Sequence, residues 1–216
     1  MNRENPLNSL RRFVRPVAQE SPREVCELCS QPLAPQHRHL LETANRKVIC
    51  ACDGCALRFQ EVIGGRFQLI PRDVVALPNF QMEDAQWEDL ALPINLVFIF
   101  ARGPQRSMTA AYPSPAGVTE SLLTLRNWEA LAAQNLELMN LKPEVEALLI
   151  NRVGKTREYF IVPIDVCFAL AGLIRKYWHG LSGGDQVWGE VGRFFVNLRK
   201  QAGVSAPGLN PIKVYA

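Results

Sequence analysis

Five of the six cysteines lie between positions 26 and 55, and four of them form two C-x-x-C turns, Cys26-Glu27-Leu28-Cys29 and Cys52-Asp53-Gly54-Cys55. Such a turn lets two thiolates face one ion while backbone N–H groups point at the sulfurs and spread their charge. One turn supplies half a tetrahedron, so two turns separated by a segment that doubles back complete a shell. The chemistry this spacing implies is metal binding, with Cys26, Cys29, Cys52 and Cys55 as ligands of one structural zinc. A four-thiolate shell leaves no position for a substrate. Iron is the alternative, because cysteine-only shells also suit rubredoxin-type iron and iron–sulfur clusters, although the spacing differs from the ferredoxin runs.

Cys50 is a fifth thiol. If residues 49–52 end a strand, alternation puts Cys50 and Cys52 on one side, close to the metal. Three readings stay open for it: an inert buried thiol, a ligand exchanging with Cys52, or part of an iron centre. His37 and His39 share a strand face. As ligands they would displace a cysteine pair; otherwise they support the site or lie on the surface. Cys50 and His39 are thus the candidates for an additional metal or redox role. Cys167 reads as a core residue, and His179 as a partner of a helix C-terminus.

The cysteines must be positioned by a small module at 25–65. "HRHLLE" and "KVICAC" alternate as the two strands of a hairpin around "TANR", and "ALRFQEVI" follows as a helix with Leu57 or Phe59 turned inward. Knuckle, hairpin, then a second pair at a helix start is the order of treble-clef zinc modules. Some forty residues bury too little surface to fold alone, so the metal supplies much of the folding energy.

The remainder reads as a larger domain at 66–203, between a disordered leader at 1–24 and a C-terminal tail at 204–216. "GRFQLIPRDVVAL" and "LPINLVFIFAR" are strand-like, and the acidic run with Trp87 between them is a short helix or loop. "RSMTAAYPSPAGVTES" predicts a strand ending in a Pro/Gly turn. Leu125, Trp128, Leu131 and Ala132 recur at helical spacing, with Thr124 as N-cap. A hairpin turns at Gly154-Lys155. Pro163 and Asp165 open a helix with Cys167, Leu170, Ala171, Ile174 and Trp178 on one face, ended by Gly180. A last helix, capped by Asp185, carries Val187, Val191, Phe194, Phe195 and Leu198. The fold class expected is α+β: a treble-clef or zinc-ribbon-like module on a mostly antiparallel sheet with C-terminal helices.

The totals bound the function. The chain has 216 residues, 48% of them hydrophobic, and a net charge of +3. That charge is too small to argue for a nucleic-acid partner, and the module itself carries both signs. No apolar run approaches the ~18 residues of a membrane span. The N-terminus lacks an export signal, which points to a cytoplasmic, reducing setting and to thiols that are ligands rather than disulfides. Phosphate-loop, dinucleotide and nucleophile-elbow motifs are absent. His39 and Asn45 imitate the start of an HNH nuclease hairpin, but "ALRFQEVIGG" offers no histidine or acidic pair to hold its catalytic ion.

"CELC", "HRHLLE", "CACDGCALRF", "YPSPAGVTESLL", "VEALLINR", "VPIDVCFALAGLIR" and "VWGEVGRFF" together resemble a family of uncharacterised bacterial proteins, over residues 25 to about 200. Genes of that family tend to lie beside those of NiFe hydrogenases and their maturation factors, particularly of the actinobacterial type. The resemblance implies an accessory role in hydrogenase assembly, non-enzymatic on the first reading, with a hydrogenase subunit or maturation factor as partner. It implies no catalytic residue. The competing reading is an iron-binding redox or cluster-handling protein using the same cysteines.

Overall fold

The computed structural model describes residues 24–59, 65–92, 94–103, 106–120, 128–180 and 182–203. Residues 1–23 of the leader, the tail, Thr124 and Leu125 lie outside these. The class is α+β, with two antiparallel sheets and helices at the C-terminal end.

The small sheet pairs β1 (Arg38–Glu42) with β2 (Lys47–Ala51) and with β3 (Phe67–Leu69), in the order β2-β1-β3. Its hairpin turns at 43–46, as the alternation in "HRHLLE" and "KVICAC" predicts. β3 lies just past position 65 and still belongs to this sheet. The large sheet runs β4-β9-β8-β5-β6-β7, from β4 (Val75–Ala76), β5 (Leu96–Arg102), β6 (Ser107–Ser114), β7 (Gly117–Glu120), β8 (Glu146–Asn151) and β9 (Glu158–Pro163). "RSMTAAYPSPAGVTES" therefore makes two strands, joined by the tight turn after Ser114. Five helices are described: α1 (Asp53–Phe59), α2 (Asp84–Asp89), α3 (Trp128–Gln134), α4 (Ile164–Tyr177) and α5 (Gly184–Gln201).

β5 is buried at six successive residues, and β8 at five. A strand covered on one face alternates; a continuous apolar run needs cover on both. Leu96, Phe98, Phe100 and Leu149 face α4 and α5 through Cys167, Leu170, Ile174, Val187, Val191 and Phe195. Val97, Ile99, Leu148 and Ile150 face the other way, toward Trp87 and Leu90 near α2, Leu131 of α3 and the 3-10 turn at Leu138. The small sheet joins the first of these cores through Leu41 and Val48, with Ile70 just after β3. Its other face packs Leu40, Ile49 and Ala51 on Cys26, Ala56 and Phe67. The hairpin thus sits between the main domain and the cysteine turns.

The helix apex between α4 and α5 differs from the sequence expectation. Asp185 lies in the first turn of α5, where its charge complements the helix dipole, but Gly183 is the cap residue, at φ +87°. Trp178 is extended and closes α4, its indole N–H donating to the Gly180 carbonyl at 2.9 Å. A Cβ on Gly183 would stand 2.8 Å from Val187 Cγ1 and 3.0 Å from Trp178 Cε3. Val187 is buried and Trp178 is braced edge-on by Trp188, so neither retreats freely. Gly183→Ala is expected to cost about 1–3 kcal/mol from left-handed backbone strain plus this contact, read as a lower Tm.

Candidate metal centre

The first cysteine turn is a narrow loop that closes on itself. Cys26 N–H donates to the Gln31 carbonyl and Ser30 N–H to the Cys26 carbonyl, both at 2.8 Å, and Val25 bridges Pro32. Ser30 takes a positive φ of 60° to make the bend. The second turn is the start of α1. Ala56 N–H donates to the Cys52 carbonyl at 2.9 Å, which aims Cys55 N–H at the Cys52 sulfur at 3.4 Å. Glu27 ties the two halves together. Its carboxylate accepts from Lys47 Nζ at 2.5 Å and from Cys50 N–H at 3.0 Å, while Glu27 N–H donates to the Cys50 carbonyl at 2.9 Å.

These elements bring the four sulfurs of Cys26, Cys29, Cys52 and Cys55 within 4.8 Å of one another, although twenty-two residues separate the two pairs. The Cys29 and Cys52 sulfurs are 3.7 Å apart. A tetrahedral ion with bonds of about 2.3 Å sets sulfur–sulfur edges of about 3.8 Å, so the spacing fits one ion. All four are free thiols; Cys26 is buried and Cys29 is exposed.

Their ionisation is uneven. Burial alone would raise the Cys26 thiol, but backbone hydrogen bonds from Cys52, Leu28 and Cys29 outweigh it and hold the thiol at about 6. Burial pushes Cys55 up to about 12, helped by its contacts with the Cys29, Cys52 and Cys26 sulfurs. The cage therefore favours a thiolate at Cys26 and a thiol at Cys55 until a cation draws that proton off.

Cys50 does not join this set. β2 stops at Ala51, and Cys52 begins the turn into α1, so strand alternation does not carry from one cysteine to the other. Ile49 and Ala51 face the cage side, and Cys50 faces the main domain with Val48. Burial first, then the charges of Glu24 and Glu27, push its thiol up. Instead, Cys50 lies with His37 and His39, one ligand atom of each within 4.8 Å of the others. His39 is the register partner of Cys50 across the hairpin. The histidines neither displace a cysteine pair nor stand alone on the surface. Asp165, read from sequence only as a helix opener, accepts from His39 Nδ1 at 2.5 Å. The hairpin itself carried a signal for the His39–Cys50 pairing. With "TANR" as the turn, Glu42 opposes Lys47, and counting back three puts His39 opposite Cys50. Asp165 had no such signal. Cys167 is fully buried in the main core, as expected.

Glu27 yields a pH prediction. The hydrogen bond from Lys47 and then the Cys50 N–H hold its carboxyl below the usual range. A depressed carboxylate stabilises the fold above its unfolded pKa and loses that contribution as pH falls through the folded value. Glu27→Gln is expected to lower the Tm at pH 7 relative to wild type, with the gap closing below about pH 4. Paired melting curves at the two pH values check it; an equal gap at both would assign the loss to packing.

A mixed α+β protein with a compact cluster of four cysteines, able to hold a metal ion, near its N-terminus is the class that fold and site define. The chain belongs to DUF5947, a family of unknown function, whose profile matches residues 25–202. No curated protein and no solved structure matches it. Among the described residues, no helix is long and apolar enough to cross a membrane.

Proposed function

We propose that the chain is a metal-stabilised accessory protein. One zinc on Cys26, Cys29, Cys52 and Cys55 fixes a treble-clef-like order of knuckle, hairpin and helix, and the surface so shaped recognises a protein partner in a reducing, cytoplasmic setting. The observation that supports this is the convergence of four sulfurs within 4.8 Å of one another, two of them 3.7 Å apart; four thiolates fill a tetrahedral shell and leave no open position, as in structural rather than catalytic zinc sites. Leu57 of α1 and Val25 beside the knuckle are large apolar side chains left exposed on this module, and they supply contact area for a partner. The partner proposed is a NiFe hydrogenase subunit or maturation factor; the support is the gene neighbourhood of the family the sequence resembles.

Two measurements test the reading. Elemental analysis of protein isolated without added metal should find tightly held zinc, and co-purification with hydrogenase subunits should weaken in Leu57→Glu. Protein that carries no metal, or capture unaffected by Leu57→Glu, contradicts it. The second reading, a redox or cluster-handling protein, puts iron on the same sulfurs; it draws support from the exposure of Cys29, which brings the ion near the surface. Visible absorption in anaerobically purified protein would favour it, and a colourless zinc protein would exclude it.

A further inference from the structure

We propose that His37, His39 and Cys50 form a second cation site, distinct from the tetrathiolate cage. It takes a first-row divalent transition ion of the zinc type and keeps one coordination position open. The proposal goes beyond the structural-zinc reading and does not depend on it.

The argument begins with where the ring protons must be. His37 Nδ1 faces the Ala34 carbonyl at 3.0 Å and a Glu24 carboxylate oxygen at 3.5 Å. His39 Nδ1 faces the Asp165 carboxylate at 2.5 Å, and the other Asp165 oxygen accepts from Val166 N–H at 2.9 Å. These partners are acceptors only, so both Nδ1 atoms carry hydrogen. A neutral imidazole has one N–H, which leaves both Nε2 atoms as bare lone pairs. Those two atoms point at each other, 3.2 Å apart. Two lone pairs at that distance repel unless a cation lies between them.

A proton can fill the gap, but it would use two nitrogens and leave the third group idle. One ring nitrogen of each histidine lies within 4.8 Å of the Cys50 sulfur, which is placed by strand register on one side and the Glu27 clasp on the other. A divalent ion uses all three. Tetrahedral bonds of 2.0–2.1 Å to two imidazoles set a nitrogen–nitrogen edge of roughly 3.3 Å, close to the separation seen. The outer contacts match as well. Metal-bound histidines donate their other N–H to a carboxylate or a backbone carbonyl, which fixes ring orientation and raises ligand basicity. His39 and Asp165 form the first kind of support, and His37 with Ala34 the second.

Two imidazoles and one thiolate are a borderline donor set suited to zinc, cobalt, nickel or copper rather than to magnesium or calcium. Three protein ligands leave a fourth position free, unlike the cage. The site is reachable: the His39 side chain is 31% exposed, although that of His37 is only 8% exposed. An ion here would also join β1 to α4 through His39 and Asp165, so its occupancy bears on how the hairpin seats on the main domain.

The test uses the full chain and cobalt(II) as probe. Wild type, treated with a chelator and titrated with cobalt, is expected to take up one equivalent more than the double variant His37→Gln, His39→Gln. That extra equivalent should show tetrahedral visible bands and a near-ultraviolet sulfur-to-cobalt band of single-thiolate intensity. Cys50→Ser should keep the visible bands and lose the sulfur band, and it answers the question even if the histidine variant fails to fold. Asp165→Asn should weaken this equivalent by about 10–100-fold. Equal cobalt uptake by wild type and the double variant, or a Cys50→Ser spectrum identical to wild type, overturns the proposal. Cys29→Ser separates the two centres. It disturbs the four-sulfur ion and should leave the single-thiolate spectrum in place, so failure of one reading is visible apart from failure of the other.

Discussion

Cys29→Ser is expected to lower metal affinity at the cage by at least ~100-fold and to lower the Tm of the whole protein. A serine oxygen is a poor replacement for thiolate on a borderline-soft ion, and the three remaining sulfurs cannot close the shell. A hundredfold loss is about 2.8 kcal/mol at 1.4 kcal/mol per tenfold. For a chain of this size it corresponds to roughly 6–11 °C in Tm. The reach to the whole protein follows from packing. Cys26 and Ala56 bury the outer face of the hairpin, and Leu41 and Val48 on its inner face belong to the main core. If the cage loosens, the hairpin loses one of its two supports. Isothermal titration with zinc and calorimetry of the metal-loaded proteins check both halves. Wild-type melting with full zinc retention in Cys29→Ser would remove the cage from the list of structural elements. Acid should mimic the substitution, since protons compete with the ion for thiolates.

What the sequence made legible, and what it did not, divides by range. The two C-x-x-C turns are local, and each needs only a few backbone hydrogen bonds to aim its sulfurs. The β8–β9 hairpin is equally local, with Gly154 at a positive φ where the chain reverses. α4 announces itself by five apolar positions at helical spacing, and all but Trp178 are buried. Trp178 fails for a simple reason: the helix stops at Tyr177, and the indole turns to the Gly180 carbonyl. By residue type Asp185 is the better cap of α5, but the close approach of Val187 and Trp178 demands glycine at Gly183. The His37–His39–Cys50 group needs three things at once: the hairpin register, the end of β2 at Ala51, and Asp165 from a helix 126 residues away. Alternation reports only the first, and carried one residue past the end of β2 it sets Cys50 on the side of Cys52. Long-range convergence of this kind leaves no mark in spacing, because the chain between the partners is free to vary.

Phe98→Ala is expected to destabilise the protein by about 3–5 kcal/mol, the usual cost of emptying a large aromatic site in a packed core. Phe98 is fully buried in β5, with the Phe100 ring stacked at 6.2 Å and the Phe168 ring edge-on at 6.5 Å. Little there can collapse into the space: β5 is paired on both sides, by β6 and β8, and α4 is pinned by α5. At about 2–4 °C per kcal/mol, the Tm should fall by roughly 6–20 °C. The more telling quantity is the temperature at which metal leaves. Leu41, Val48 and Ile70 share this core with Phe98, so the cage and the main domain should melt as one cooperative unit. Zinc release, followed with a chromogenic chelator during heating, should then shift down by the same amount as the loss of circular dichroism. Were zinc to leave at the wild-type temperature while the main domain melted early, the hairpin would be a separate unit. The inner-face contacts of Leu41 and Val48 would then be mere adjacency, and Cys29→Ser could no longer reach the whole protein. The two substitutions, at opposite ends of one packed column, therefore test the same continuity from either side.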